Sequence, residues 1–434
     1  MSHQFQKFTF HVALRAAVSA LVIMFVLTAV AMPAQAQTFK VIHNFTGGKD
    51  GWSPSGALTM DKAGNLYGTT GRGGSWDFGS VFKMQYVNSG WVLTPLYGFR
   101  GGLDGIYPVA GVVIGADGSL YGTTSQGGGN TCSFSSGTCG TVFKLRPPPS
   151  RSRTPLYPWT ETVLYRFSGP DGDYPWSDLV FDKAGNLYGT TYTGGQFGKN
   201  CPTLACGVVF ELTPSGGDWT ETVIHTFDGS DGQLPMSGVI FDTAGNLYGT
   251  SSWGGAYSRG TVYELTPSGA GWTLNTLYSF GEDRSHGLEP FAGLLLDNSG
   301  NLYGATSTSI VNYEPVSVFE LTPSNGTWTL NSLYEMTRSE SGSFGPWGRL
   351  TMDAAGNLYG TTEGYGAYWN GSVFKLTYSN GSWVPTVLHD FTGREDGQYP
   401  LAGVTLDAYG NIYGTASSGG SGSGANGVVW EITP

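Results

Sequence analysis

From residue 37 onward the apolar residues fall in short runs, β-branched or aromatic in character and closed by Gly, Pro, Asn or Asp, with no competing helical spacing. One stretch shows four of them in order: "SDLVFD" (Ser177 to Asp182), "NLYGTT" (Asn186 to Thr191), "GVVFELT" (Gly207 to Thr213) and "WTETVIHTF" (Trp219 to Phe227). Each reads as a β-strand, and we label the four A, B, C and D. The link from A into B recurs most faithfully, as "DKAGNLYGTT" from Asp61, "GADGSLYGTT" from Gly115, "DKAGNLYGTT" from Asp182, "DTAGNLYGTS" from Asp242, "DNSGNLYGAT" from Asp297, "DAAGNLYGTT" from Asp353 and "DAYGNIYGTA" from Asp407. Its glycines at 64, 118, 185, 245, 300, 356 and 410 are separated by 54, 67, 60, 55, 56 and 54 residues. That period is too long for a leucine-rich or ankyrin unit and suits a four-stranded propeller blade.

The repeated segment has the chemistry of a hairpin. Asp at the first turn position can accept hydrogen bonds from the turn amides, and Gly three residues on can take positive φ without steric cost. The second copy replaces Asp by Gly115 yet keeps Gly118, so the glycine matters more than the cap. On strand B, Tyr67 and Gly68 alternate faces; the ring is expected to fill the space between blades and the glycine to let the neighbouring blade approach.

The last copy ends after its strand C, "GVVWEIT", while the segment "FKVIHNF" (Phe39 to Phe45) matches strand D of other copies, such as "ETVIHTF" and "PTVLHDF". The two ends are therefore expected to complete one blade together, which removes exposed sheet edges and closes the ring. The predicted fold is all-β: a single seven-bladed β-propeller over residues 37–434, with four-stranded blades and the amino-terminal strand completing the last one. Closed repeats allow roughly 400 residues to exceed the usual limit for one hydrophobic core.

Residues 1–36 read differently. Lys7 and Arg15 precede the apolar run "AAVSALVIMFVLTAVA", and "AQA" at Ala34 to Ala36 supplies small residues for cleavage, the order of a secretory signal peptide. A secreted or periplasmic product with no later membrane span is expected, as a monomer. Removing two basic and no acidic residues takes the net charge from −11 to −13, which with no basic cluster excludes nucleic acid as a partner. Export fits the cysteines: Cys132 and Cys139, and Cys201 and Cys206, each bracket a short Gly-rich loop, and local disulfides are expected rather than a zinc site of four thiolates. No metal and no cofactor are called for.

The combined pattern "F.G.DG..P..G...D..GNLYGTT..GG....G.VF.LTP...W" resembles the Gloeo/Verruco, or GloVer, tandem repeat over nearly the whole chain after residue 37. The resemblance implies an exported bacterial repeat protein and carries over no catalytic residues. Its relatives bear varied surface anchors at the carboxy terminus, whereas this sequence ends at "VVWEITP".

In a propeller the D-to-A and B-to-C connections share one face. Here the B-to-C loops vary in length and composition and hold both cysteine pairs, so binding is expected on that face. The D-to-A motif F-x-G-x-D-G-x-x-P places Asp50, Asp104, Asp171, Asp231 and Asp396 before Gly; a feature copied around the ring is turn chemistry before it is an active site. Likewise His43, His225 and His389 occupy the strand-D position that holds Tyr97, Tyr165, Tyr278 and Tyr334 elsewhere, which marks a half-buried amphipathic ring and not a metal ligand. Private residues are better candidates. His286 replaces the loop Asp beside Arg284 and Glu289, Arg338 lies in the following D-to-A loop, and Tyr313 and Glu314 lie in the fifth B-to-C loop. Drift in a tolerant repeat accounts for them equally well.

Aromatic residues of this face, among them Trp253, Trp347, Tyr365 and Trp369, suit the apolar faces of sugars. The leading expectation is a non-catalytic binding protein for extracellular glycan or envelope polymer. The alternative is a secreted polysaccharide lyase or glycoside hydrolase with His286, Glu289 and Glu314 as acid and base, and Arg284 or Arg338 neutralising a substrate carboxylate.

Overall fold

In the computed structural model the short apolar runs form strands, and the link from strand A into strand B is a tight turn closed by a glycine in every blade. The structure describes residues 37–132, 137–149, 158–197, 200–201, 205–269, 271–282, 287–307, 316–336, 345–422 and 424–434, with a compact unit over Phe39–Ile432. Among the described residues there is no helix. The strands make seven four-stranded antiparallel sheets, the blades of a seven-bladed β-propeller. Six sheets run A, B, C, D in chain order; in the seventh, Thr38–Asn44 pairs with Val428–Thr433, followed by Ile412–Ala416 and Thr405–Leu406. The two ends of the chain thus share one blade, as the strand-D likeness of "FKVIHNF" predicts.

The repeated hairpin works through its side chains. Asp61 Oδ1 accepts the main-chain N–H groups of Ala63 and Asn65, each at 2.9 Å, while Oδ2 accepts the Asn65 side chain at 2.7 Å and the Tyr67 hydroxyl at 3.1 Å. Gly64 sits at φ +79°. In the second blade, where Gly115 stands in place of the cap, Asp117 accepts from Ser119 main chain and hydroxyl at 3.0 Å and pairs with Lys144 at 2.8 Å. The cap has moved two residues along.

A propeller has no central core. Seven buried clusters lie instead one at each seam between blades. Tyr67 of blade one packs with Val112, Leu120 and Phe143 of blade two, as expected of the strand-B aromatic. The expectation for Gly68 needs correction. A Cβ there would meet Phe82 at 2.5 Å and Leu58 at 2.9 Å, both in its own blade, so the glycine makes room for the strand-C ring opposite and not for the next blade's main chain.

The second repeated feature of strand B is a belt. The first hydroxyl residue of "YGTT" donates to a carbonyl of the following blade: Thr69 to Ala110 at 2.7 Å, Thr123 to Ser177 at 3.2 Å, Thr190 to Ser237 at 2.9 Å, Thr250 to Ala292 at 3.1 Å, Thr361 to Ala402 at 2.7 Å and Thr415 to Gly56 at 3.3 Å. Blade five reads "LYGA", and Ala305 has no hydroxyl to give the seam toward blade six. That seam also carries Met336 where the other seams carry a Phe such as Phe45 or Phe99.

The loop aspartates and the strand-D rings explain each other. Nε2 of His43, His225 and His389 meets Asp50, Asp231 and Asp396 at 3.2, 2.8 and 3.0 Å, and the Tyr97 hydroxyl donates to Asp104 at 3.0 Å. Tyr and His interchange because both offer a polar atom at the tip of a ring. Both cysteine pairs are local disulfides, with Cα atoms 5.3 Å apart for Cys132 and Cys139 and 5.6 Å for Cys201 and Cys206.

Candidate functional site

The residue before the D-to-A proline is held in the left-handed region although it carries a side chain: Ser53, Tyr107, Tyr174, Leu234, Glu289 and Tyr399 have φ of 57, 61, 63, 55, 57 and 58°. Such backbone costs about 1–3 kcal/mol and needs compensation. Each N–H is directed to a B-to-C loop of the preceding blade, accepted by the carbonyls of Asn426, Phe78, Cys139, Cys206, Arg259 and Asn370 at 2.8 to 3.1 Å. This ring of links ties the two loop sets of the face together.

Glu289 takes its place in that ring. Its side chain is only 3% exposed, and Oε1 accepts from Arg259 Nη1 at 3.2 Å, while the Arg259 carbonyl accepts the Glu289 N–H at 3.0 Å. Burial pushes the Glu289 carboxyl up and the guanidinium opposes it. Glu289 therefore clamps blade five to blade four, facing Arg259 and not solvent. His286, Arg284, Tyr313, Glu314 and Arg338 lie outside the described residues.

The aromatic candidates separate. Trp253 is exposed and its main chain pairs with Gln233 through N–H···O bonds of 2.9 and 2.7 Å, fixing loop to loop. Trp369 is exposed, on a left-handed residue at φ 60°. Tyr365 is half-buried against the cluster at the seam of blades five and six. Trp347 is half-buried and stacks on Phe291, ring centroids 4.9 Å apart and planes 16° apart. These candidates belong to loops of blades four and six.

Beside Trp347 lies a carboxyl that the motif pattern did not single out. Directly after strand B the other blades hold Gly71, Ser125, Tyr192, Ser252, Ser307 and Ser417, and blade six holds Glu363. Burial pushes Glu363 up to about 7, with the Trp347 indole N–H pulling the other way. Neither Glu363 Oε2 nor Trp347 Nε1 makes a hydrogen bond of full geometry, and both atoms are buried. Aligning the seven copies shows the same kind of exception at the start of strand A, where Asp178 and Arg349 stand among Ala57, Gly111, Gly238, Gly293 and Gly403. Asp178 Oδ1 accepts the Gly111 N–H at 2.7 Å, a further link from blade three to blade two.

Tryptophans differ in use between the two faces. Those opening strand D are covered: Trp159, Trp219, Trp272 and Trp328 pack edge-on to the strand-B tyrosines Tyr67, Tyr121, Tyr188 and Tyr248 of the preceding blade. The exposed ones, Trp76, Trp253 and Trp369, all lie in B-to-C loops, joined there by exposed Phe197, Tyr257 and Tyr368.

The model of the Gloeobacter/Verrucomicrobia repeat matches residues 28–199, 129–306 and 202–430. The chain belongs to this repeat family. No curated protein matches it in sequence. A solved protein from Lactobacillus plantarum is 14% identical, with a TM-score of 0.50 over 81% of this chain and 88% of its own. A Thermus thermophilus protein described as an oxidoreductase (glucose dehydrogenase) is 14% identical, with a TM-score of 0.42 over 92% and 100%. An ulvan lyase, a polysaccharide lyase bound to -[GlcA(1-4)Rha3S]-, is 13% identical, with a TM-score of 0.48 over 79% and 85%. The first likeness is one of fold, and none of the three carries an activity across.

Proposed function

We propose that this repeat protein is an exported binding protein for extracellular polysaccharide, a single propeller domain behind a signal peptide over residues 1–36. The observation that carries this reading is the set of exposed aromatic side chains on the B-to-C loops of blades one, three, four and six. An exposed ring loses water on meeting the apolar face of a sugar, and the loops around it offer amide and hydroxyl groups for the sugar's edge. Rings spread over several blades suit a polymer that touches more than one of them, since each further contact is made at high effective concentration. The acidic surface, with a net charge of −11 over the whole sequence, favours neutral over anionic chains. The test is retention on a polysaccharide array, compared with Trp253→Ala and Trp369→Ala. Each variant should weaken binding at least tenfold at unchanged melting temperature. Absence of any retained polysaccharide, or retention unaffected by both changes, overturns the reading.

A further inference from the structure

A cavity of about 490 Å³ opens between blades two and three, away from the seam of blades five and six. That volume falls within the range of small-ligand sites, roughly 300–1,000 Å³. Its walls come from Thr131 and Cys132, the D-to-A loop at Ser168 to Asp173, and the segment Thr193 to Phe197 with Ala205, next to the two disulfides. Two covalent ties and the paired main chains of Asp173 and Thr193, at 2.9 and 3.1 Å, preform the site before any ligand arrives.

The lining has two characters. Phe197, 63% exposed, lines the cavity together with Pro170 and Cys132, an apolar part left in water. Opposite in kind are Thr131, Ser168 and Gln196, with Asp173 buried to 3% exposure. The ligand atoms of Cys132, Cys139 and Asp173 lie within 4.8 Å of one another, but both sulfurs are joined in a disulfide and are not thiolate donors to a metal. Asp173 is the only ionisable side chain among the described lining residues, so the carboxylate of an anionic ligand finds no cationic lining partner among them.

We propose that this pocket binds a neutral pyranose unit, its apolar face against the Phe197 ring and its hydroxyls on Asp173, Thr131, Ser168 and Gln196. The proposal rests on the reading of the protein as a polysaccharide binder and deepens it by naming the sugar class.

Saturation-transfer NMR and calorimetry with methyl β-glucopyranoside, methyl β-galactopyranoside, methyl α-mannopyranoside and methyl β-glucuronopyranoside test it on the intact, oxidised protein. At least one neutral glycoside should bind, the glucuronoside at least tenfold more weakly. Phe197→Ala should weaken binding at least tenfold with the melting temperature unchanged, and Phe197→Trp should restore it. No binding of any neutral glycoside, equal binding of the glucuronoside, or binding indifferent to Phe197→Ala overturns the proposal. The polysaccharide array separates the two levels. Polymer retained without glycoside binding removes the pocket and leaves the binding-protein reading; Phe197-dependent glycoside binding without any retained polymer does the reverse.

Discussion

Thr69→Val removes one link of the hydroxyl belt while keeping the shape and β-branching of the side chain. Thr69 is 1% exposed and its hydroxyl donates at 2.7 Å to the carbonyl of Ala110, itself 6% exposed. The substitution leaves that carbonyl in a buried seam without the donor, which costs about 1–3 kcal/mol. The extra methyl adds apolar burial that offsets under about 1 kcal/mol of this, so the net loss should be about 1–2 kcal/mol. Heat is a poor readout for a chain this long, because a given loss moves the melting temperature little. Urea unfolding followed by tryptophan fluorescence is better: with a slope of about 3 kcal/mol/M the midpoint should fall by about 0.3–0.7 M at unchanged slope. Thr94→Val, on an exposed strand-D position, is the control and should stay within about 0.5 kcal/mol of the parent. The converse change, Ala305→Ser, offers a hydroxyl at the one belt position that lacks it and should gain about 0.5–1 kcal/mol. If Thr69→Val and Thr94→Val shift the midpoint equally, the belt contributes nothing and the repeated Thr has another purpose.

Three further outcomes are expected. Glu363 has its pKa raised from the ordinary 4.5 to about 7, so its neutral form is the folded one: its contribution is intact below about pH 4.5 and lost as pH rises through 7. Glu363→Gln should therefore be stabilised relative to the parent by up to about 3 kcal/mol at pH 8 and by nothing at pH 4, as read from urea midpoints across that range. His43 and His389 are pushed down from 6.5, burial outweighing the attraction of Asp50 and Asp396, so stability should start to fall as pH drops below 6.5. The double variant His43→Tyr with His389→Tyr, using the ring other blades have, should lose that step; a further fall below pH 3.8, as Asp50 and Asp396 protonate, should shrink only where the hydroxyl holds the carboxylate less well. Replacing both cysteine pairs by Ser should cost about 2 kcal/mol per loop of this length and leave the far-ultraviolet circular dichroism unchanged, while peptide mapping of the parent should show no free thiol.

The scaffold was legible because each of its rules is local and repeated. Asp61 and Gly64 announce a turn within four residues, and the strand-D likeness of Phe39 to Phe45 announces the closure without any knowledge of what lies between. Pairings between motifs were harder. The loop Asp and the strand-D His or Tyr were each read as structural, yet their hydrogen bond depends on a loop bending back over its own strand, a geometry that residue types do not specify. The Thr of "YGTT" was hidden for a similar reason, since its partner is a main-chain carbonyl that has no letter in the sequence. At the candidate site, charged residues in irregular loops are the most visible signal in the sequence. Glu363 is hard to see because it directly follows a regular strand B, where only comparison of one column across all seven blades reveals it. Glu289 shows the converse: a private, ionisable residue that pairs with Arg259 across two blades, a partner its loop sequence does not reveal.

The missing hydroxyl at Ala305 separates two kinds of seam that are easily confused. The covalent gap of the ring is in blade seven, where the ends of the chain meet, yet that blade is laced on both sides, by Thr361 to Ala402 and by Thr415 to Gly56. The gap in the belt is between blades five and six, where the chain is continuous. A circular permutant cut in the loop between strand D of blade five (Thr327–Met336) and strand A of blade six (Thr351–Met352), with the native ends joined, therefore sacrifices no belt bond. The clasp of this necklace and the gap in its hydroxyl belt are in different places.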